Sequence, residues 1–377
     1  MCAVEWKKLG DVCEIKTGKG ITTKDCCDNG QYPIISGGVT PMGMYHQFNR
    51  KANTITISRV GANAGFVNFV TQDFYLNDKC FSVIPFDDAI STIDVKYLFF
   101  KLKSIEEEII SLQSEGGVPT INTTKVGNLT IPIPSLAKQQ EIVSQLDTFT
   151  TLISNLESEL DMRRKQYEHY RNQLLDFEGV EGVEWMKIGD LFEFKNGLNK
   201  EKQYFGQGTP IVNYTDVYHN RKIKGENLKG RVTLTDSEIQ RYKVKRGDVF
   251  FTRTSETREE IGLAAVLLED IEDCTFSGFL LRARPVTEKL ISEFCGYYFT
   301  SHKIRQDIIK SCTFTTRALT NGSSLSKIEV AIPSKQTQQQ IVEKLDAFEQ
   351  LIQSLETEIK LRKQQYEYYR EKLLTFD

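Results

Sequence analysis

The chain reads as an α+β protein: two mixed α/β globules separated by two long antiparallel coiled-coil helices, arranged as a pseudo-two-fold internal repeat. Three observations predict this. Pro134–Phe177 and Pro333–Phe376 align without a gap at an offset of 199 residues, and 23 of the 44 pairs are identical. Val4-Glu5-Trp6 with Leu9-Gly10-Asp11 returns as Val183-Glu184-Trp185 with Ile188-Gly189-Asp190, at an offset of 179. Both aligned helices carry a heptad seam, largely apolar, that steps by four and three without a slip. The order is therefore globule (1–134), helix (135–178), globule (179–332), helix (333–377), the second globule being longer by the 20 residues that separate the offsets. A chain built from two copies of one module treats two similar objects in a symmetric way.

In the first globule, Thr54–Ser58 and Gly65–Val70 have the β-branched and aromatic content of strands, and Val95–Lys103 has helical periodicity. Ile105–Ser114 also looks helical, and Gly116-Gly117 after it reads as a stop and a turn. A β-like run, Leu129–Pro134, ends the globule. In the second, Asp248–Thr252 and Phe276–Ala283 read as strands, Glu288–Lys310 as helix, and Ile328–Pro333 as the closing β-like run.

The first long helix places Ile142, Leu146, Phe149, Ile153, Leu156 and Leu160 at steps of four and three, followed by Arg163, Tyr167, Tyr170 and Leu174. The second repeats them as Ile341, Leu345, Phe348, Ile352, Leu355 and Ile359, then Arg362, Tyr366, Tyr369 and Leu373. That spacing is the coiled-coil signature. Ser135 and Ser334, each after a proline, suit helix starts. With no internal Gly or Pro, each helix would run roughly 60 Å at ~1.5 Å per residue. Matching seams make each helix the obvious partner of the other, antiparallel within one chain; pairing with a second chain is the alternative. Arg163 and Arg362 break the seam at one heptad position. They fix register, or mark where a partner subunit or nucleic acid approaches.

Composition is that of an ordinary globular protein, and 377 residues allow two or three domains with real cores. No run of 18 apolar residues exists and Met1–Gly20 lacks a hydrophobic signal core, so neither a membrane span nor secretion is expected. The eight cysteines form no C-x-x-C pair and the four histidines are isolated. Reduced thiols in the cytoplasm and no metal site follow. The net charge of −3 argues weakly against nucleic-acid binding, but residues 179–332 carry 23 basic and 21 acidic side chains. Their basic string runs Arg221, Lys222, Lys224, Lys229, Arg231, Arg241, Lys243, Lys245, Arg246, Arg253, Arg258. It is a solvated face, or a phosphate-tracking face if the acids point elsewhere.

Motifs for chemistry are missing. There is no G-x-x-x-x-G-K-[ST], no G-x-G-x-x-G opening a helix, no G-x-S-x-G and no H-E-x-x-H. The methyltransferase tetrapeptide of Asn or Asp, two prolines and an aromatic is also absent. A chain without its own catalytic site is expected.

Ile133-Pro134-Ser135 with Gln139-Gln140-Glu141-Ile142-Val143, and Ile332-Pro333-Ser334 with Gln338-Gln339-Gln340-Ile341-Val342, each open a long helix. With the Trp–Leu/Ile–Gly–Asp starts and the tails Tyr167–Phe177 and Tyr366–Phe376, this doubled arrangement resembles the specificity (S) subunit of type I restriction-modification enzymes across essentially the whole chain. The resemblance implies that the globules are target-recognition domains, each reading half of a split double-stranded DNA sequence. It implies that the helices form a spacer and a docking surface for two methyltransferase subunits, with translocating nuclease subunits joining later. S-adenosylmethionine would belong to the methyltransferase subunits, and ATP and magnesium to the nuclease subunits, leaving this chain without a cofactor.

Base edges are told apart by Arg, Lys, Asn, Gln and Ser, while phosphate contacts supply affinity and register. DNA-contacting candidates in turn-like or strand-end settings are Lys19, Ser36, Arg59, Asn63, Lys79 and Thr120 in the first globule. In the second they are Asn213, Arg221, Lys222, Arg253, Arg258 and Arg317. Two other functions stay open: a non-catalytic coiled-coil adaptor whose globules bind proteins, and the specificity component of a fused methyltransferase-nuclease system.

Overall fold

A computed structural model describes residues 4–114, 117–314 and 317–376. Contacts divide the chain into two units, Met1–Ser158 with Glu356–Asp377, and Glu159–Leu355. The division falls within the long helices, so each unit holds one globule and part of each helix.

In the first unit Glu5–Lys8 pairs antiparallel with Thr130–Ile133, joining the two ends of the globule in one ribbon. The Leu-Gly-Asp repeat follows as a single helical turn, Leu9–Val12. Leu9 is fully buried and donates its N–H to the Leu129 carbonyl at 2.8 Å. Gly10 lies against the Gly127 backbone, where a Cβ would stand only 3.2 Å from the carbonyl oxygen. In the second unit Ile188 donates to Ile328 at 2.9 Å, and a Cβ on Gly189 would come within 2.8 Å of the Ser326 Cβ. The repeated tripeptide is a packing motif.

Cys13–Thr17 then enters a four-stranded antiparallel sheet in the order Cys13–Thr17, Cys80–Pro85, Thr54–Ser58, Val67–Val70. Thr54–Ser58 is buried along its whole length, which its alternating β-branched residues suit. A smaller sheet joins Met44–Tyr45, Tyr32–Ile35 and Tyr75–Leu76, the last pair parallel. Helices Val95–Ser104 and Glu106–Ser111 bring Leu98, Leu102 and Ile109 into one core with Ile55, Ile57, Phe81 and Val83. Asp94 caps the first of these helices, accepting from the N–H groups of Lys96 at 2.8 Å and Tyr97 at 3.0 Å. Gly117 has φ +79°, as a turn requires, and Gly116 lies outside the described residues.

The second unit repeats the plan. Glu184–Lys187 pairs with Glu329–Ile332, and the sheet order is Phe192–Asn196, Leu280–Pro285, Val249–Thr252, Ala264–Leu267, with Lys222–Ile223 added in parallel at the edge. Two expectations need correction here. Phe276–Ala283 is not one strand: Thr275–Phe276 pairs with Phe205–Val212, Leu280–Pro285 lies in the large sheet, and a turn closed by Leu280 N–H to Ser277 O (2.9 Å) separates them. The Ser277-Gly278 dipeptide marks that turn in the sequence. Glu288–Lys310 is likewise two helices, Ser292–Tyr298 and His302–Ser311, interrupted where Ser301 adopts an extended N-cap conformation.

The long helices span Leu136–Leu174 and Lys335–Leu374. All twelve seam residues, Ile142, Leu146, Phe149, Ile153, Leu156, Leu160 and their second-copy partners, are buried or half-buried. In the first unit Ile142 and Leu146 cluster with Leu373 and Leu374, and Phe149 stacks on Tyr369 at 5.4 Å. In the second, Phe348 stacks on Tyr170 at 5.6 Å and meets Tyr167 edge-on at 6.4 Å. In both units the start of one helix meets the end of the other, so the packing is antiparallel. Arg163 is held within its own helix by Glu159 (3.3 Å) and Gln166 (3.0 Å), and Arg362 by Glu358 (3.4 Å) and Gln365 (3.0 Å).

The first Gln of each Gln-Gln pair is a clamp. Gln139 is fully buried; its Nε2 donates to the carbonyls of Thr92 and Pro134, each at 2.8 Å, and its Oε1 accepts from the Asp94 N–H at 2.8 Å. Gln338 makes the same three bonds, to Lys289 O (2.8 Å), Pro333 O (2.9 Å) and from Ile291 N–H (2.9 Å). Each clamp ties the helix start to the loop before the covering helix.

Candidate nucleic-acid interface

One end of the first globule is built by five segments held together through their backbones. Lys19 N–H donates to Leu76 O (3.0 Å), Asn77 N–H to Ile35 O (2.9 Å), Arg59 N–H to Lys79 O (2.8 Å), and Ile121 N–H to Arg59 O (2.9 Å). Asn63 Nδ2 adds a bond to Gly37 O at 3.2 Å. These bonds bring all six first-globule candidates, Lys19, Ser36, Arg59, Asn63, Lys79 and Thr120, onto neighbouring segments of one face. Lys19, Asn63 and Lys79 are exposed, and Arg59 and Thr120 are half-buried. Ser36 is the exception, since only 7% of it is exposed. Gly18 makes the close approach possible: a Cβ there would lie 2.2 Å from the Leu76 carbonyl oxygen.

The second globule builds the same face from the same bonds. Leu198 N–H donates to Phe276 O (2.9 Å), Ser277 N–H to Val212 O (2.9 Å), Arg253 N–H to Phe279 O (3.0 Å), and Thr320 N–H to Arg253 O (3.0 Å). Gly197 takes the role of Gly18, with a hypothetical Cβ 2.1 Å from the Ser277 oxygen. The match assigns equivalent positions that no single sequence offset reveals: Lys19 with Leu198, Ser36 with Asn213, Arg59 with Arg253, Lys79 with Phe279, and Thr120 with Leu319. Only the arginine is the same in both. Even its side chain is held alike, Arg59 Nη1 donating to Asp78 O at 3.2 Å and Arg253 Nη1 to Gly278 O at 3.0 Å.

Near Arg253 stand Arg258, exposed and 4.8 Å over the Phe314 ring, and Arg317, exposed and 3.5 Å from Glu256. Short strands Thr254–Ser255, Ala318–Leu319 and Thr313–Phe314 carry this group. Exposed ion pairs contribute little, so Arg317 keeps its charge for other ligands. Asn213 is half-buried at the start of helix Tyr214–His219, its N–H donating to Asp216 at 2.7 Å. Two residues that the sequence reading did not single out, Phe279 (64% exposed) and Leu319 (41% exposed), also fall on this face; for Phe279 the signal was an aromatic directly after Ser277-Gly278, where a turn precedes the strand.

Arg221 and Lys222 are engaged elsewhere, against the second long helix. Arg221 is ion-paired with Glu349 and donates to the Tyr167 hydroxyl at 2.7 Å. Lys222 pairs with Asp346 and donates to Tyr297 Oη at 2.8 Å, and the single Tyr297 O–H is shared between Asp346 (2.5 Å) and Glu349 (2.9 Å). Burial pushes the Tyr167 hydroxyl up to about 12, and burial with the two acids pushes Tyr297 up as well. These cations neutralise helix carboxylates and fasten the globule to its helix segment. In the first unit the equivalent fastening is Lys96 to Asp147 at 2.6 Å, with the buried Tyr97 hydroxyl donating to Pro132 O at 2.9 Å.

No described helix is long and apolar enough to cross a membrane, and the described residues hold no group of three or more His, Cys, Asp or Glu that could ligate a metal.

A family described as the type I restriction modification DNA specificity domain matches residues 3–162 and again 180–362. The specificity subunit of the Escherichia coli type I restriction enzyme EcoR124I/EcoR124II is 29% identical, over 99% of this chain and 94% of that protein. The EcoKI specificity subunit of Escherichia coli K12 is 24% identical over 66% of this chain and 56% of its own length. Among solved structures, the S subunit of the type I restriction-modification system from M. genitalium superposes with a TM-score of 0.61 at 18% identity, covering 100% of this chain and 97% of that one. The HsdS subunit from Thermoanaerobacter tengcongensis gives 0.55 at 17% identity, covering 98% and 96%. The chain belongs to the type I restriction-modification DNA specificity family.

Proposed function

We propose that this member of the specificity family is the DNA-reading component of a type I restriction-modification complex. Each globule reads one half of a bipartite duplex target, and the long helices dock two methyltransferase subunits; nuclease and translocase subunits complete the assembly. The observation that carries this reading is the doubled face: two sets of loop residues, one per unit, held by equivalent backbone bonds but differing in side-chain chemistry. Two readers built alike and lined differently are what an asymmetric split sequence requires.

In this reading the chain is not catalytic and works in the cytoplasm. S-adenosylmethionine is bound by the methyltransferase partners, and ATP and magnesium by the nuclease partners. Lys19, Asn63, Lys79 and Thr120 meet the first half-site. Arg258, Arg317, Phe279 and Leu319 meet the second, where an apolar side chain can rest on a thymine methyl group.

The test is a domain exchange. Residues 179–332 are replaced by the corresponding globule of a relative, the protein is assembled with its methyltransferase partners, and methylated sites are mapped by sequencing. One half of the methylated sequence should change while the other stays. A change in both halves, or no sequence-specific methylation by the parent complex, would overturn the reading.

A further inference from the structure

Among the five equivalent positions of the two faces, four carry different chemistry and one does not. Lysine is matched by leucine, serine by asparagine, lysine by phenylalanine and threonine by leucine, whereas Arg59 is matched by Arg253. We propose that Arg59 and Arg253 bind the DNA phosphate backbone rather than base edges, and set the register in which each half-site is read. The inference rests on the DNA-reading function proposed above.

The argument starts from what the two modules share. Side chains that distinguish one half-site from another must differ between modules, because the half-sites differ. A side chain common to both reading faces suits what both half-sites have in common, and every duplex offers the same phosphates. Arginine suits that task, since its planar fork offers parallel donors to two oxygens of one phosphate.

Local geometry supports it. Each arginine follows directly on the end of a central sheet strand, Thr54–Ser58 or Val249–Thr252. Each backbone is held on both sides, by the residue 79 or 279 carbonyl and by the residue 121 or 320 N–H. Each Nη1 is tied to the carbonyl of residue 78 or 278. A guanidinium so braced loses little rotamer freedom on binding, which favours a fixed reference contact over an adaptable one. Arg253 Nε is in addition buried without a hydrogen-bond partner.

The test uses the chain assembled with its methyltransferase partners, carrying Arg59→Gln, Arg253→Gln or Arg59→Lys. Affinity is measured over a salt series for the target duplex, for duplexes changed in one half-site and for unrelated duplex. Either Gln variant should weaken binding to all of them by a similar factor, roughly tenfold. The slope of log affinity against log salt should fall by about one phosphate contact, and the methylated sequence should be unchanged. Arg59→Lys, which keeps the charge and bears less on loop folding, should retain the salt slope with a smaller uniform loss. Relaxed discrimination at one base position in any variant, or unchanged affinity and slope in the Gln variants, overturns the proposal. Failure of the unsubstituted complex to bind its target specifically is a different result, and it removes the underlying DNA-reading function instead.

Discussion

Replacing Gln139 tests whether the repeated Gln-Gln motif is a structural clamp. Gln139→Ala removes one donor amide and one acceptor oxygen, leaving Thr92 O, Pro134 O and Asp94 N–H without the partners they have at 2.8 Å. At about 1–1.5 kcal/mol for each of the three buried backbone groups left unpaired, the loss is about 3–4.5 kcal/mol. Gln139→Glu is the sharper probe, being nearly isosteric. At neutral pH it sets a carboxylate against two carbonyl oxygens, so its folded-state pKa must rise above the unfolded ~4.3. A raised acid keeps its full stability below the unfolded pKa and loses it as pH climbs toward the folded value. The Glu variant should therefore be less stable than Ala at pH 7 and recover on acidification toward pH 4, relative to the unsubstituted chain. Urea midpoints across that range report the energetics. Hydrogen exchange locates them: the Asp94 amide should exchange faster in Gln139→Ala while the Ile291 amide does not, and the reverse should hold in Gln338→Ala. A Gln139→Ala loss below about 0.5 kcal/mol, or a Glu variant as stable as the parent at pH 7, would refute the clamp.

Asp248 is fully buried and held by Arg284 through Nε at 2.8 Å and Nη2 at 2.7 Å, so Arg284→Met should cost about 3–5 kcal/mol in urea unfolding, as a stranded buried carboxylate does. Phe149→Ala and Phe348→Ala each remove one half-buried ring stacked on a tyrosine. Each should cost about 2 kcal/mol by thermal unfolding, below the ~3–5 of a fully buried phenylalanine, and the two losses should match. Burial pushes the thiols of Cys13, Cys274 and Cys295 up to about 12 and that of Cys80 up to about 11. Between the ordinary value of 9.0 and those values only the unfolded chain ionises, so stability should fall steeply as pH rises through that window. A flat stability profile from pH 9 to 11 would show the thiols to be accessible.

The long helices were legible because a heptad seam of ten positions repeats twice, and nothing in a loop or sheet imitates it. The role of Gln139 was not. Its identity with Gln338 was visible, but its partners are backbone carbonyls at Thr92 and Pro134, which leave no mark on residue type. Charge was the least readable quantity. Arg221 and Lys222 look in sequence like the rest of their basic string, yet their partners Glu349 and Asp346 lie far along the chain on a helix. The arginines at 59 and 253 were each picked out separately, from strand-end settings. Their equivalence stayed hidden because insertions shift the offset between modules from one segment to the next.

The seam has a consequence for self-association. Phe149 packs on Tyr369 and Phe348 on Tyr170 in nearly the same geometry, and Tyr170 and Tyr369 occupy matching positions of the repeat. Tyr170 of a second molecule would therefore serve Phe149 about as well as Tyr369 does. Contact chemistry hardly distinguishes the chain's own second helix from that of a neighbour. The choice falls to the tether, because a helix on the same polypeptide is present at an effective concentration that does not fall on dilution, as that of a separate molecule does. Cutting the connection, or crowding the chains, should exchange intramolecular pairs for intermolecular ones with little change in the contacts themselves.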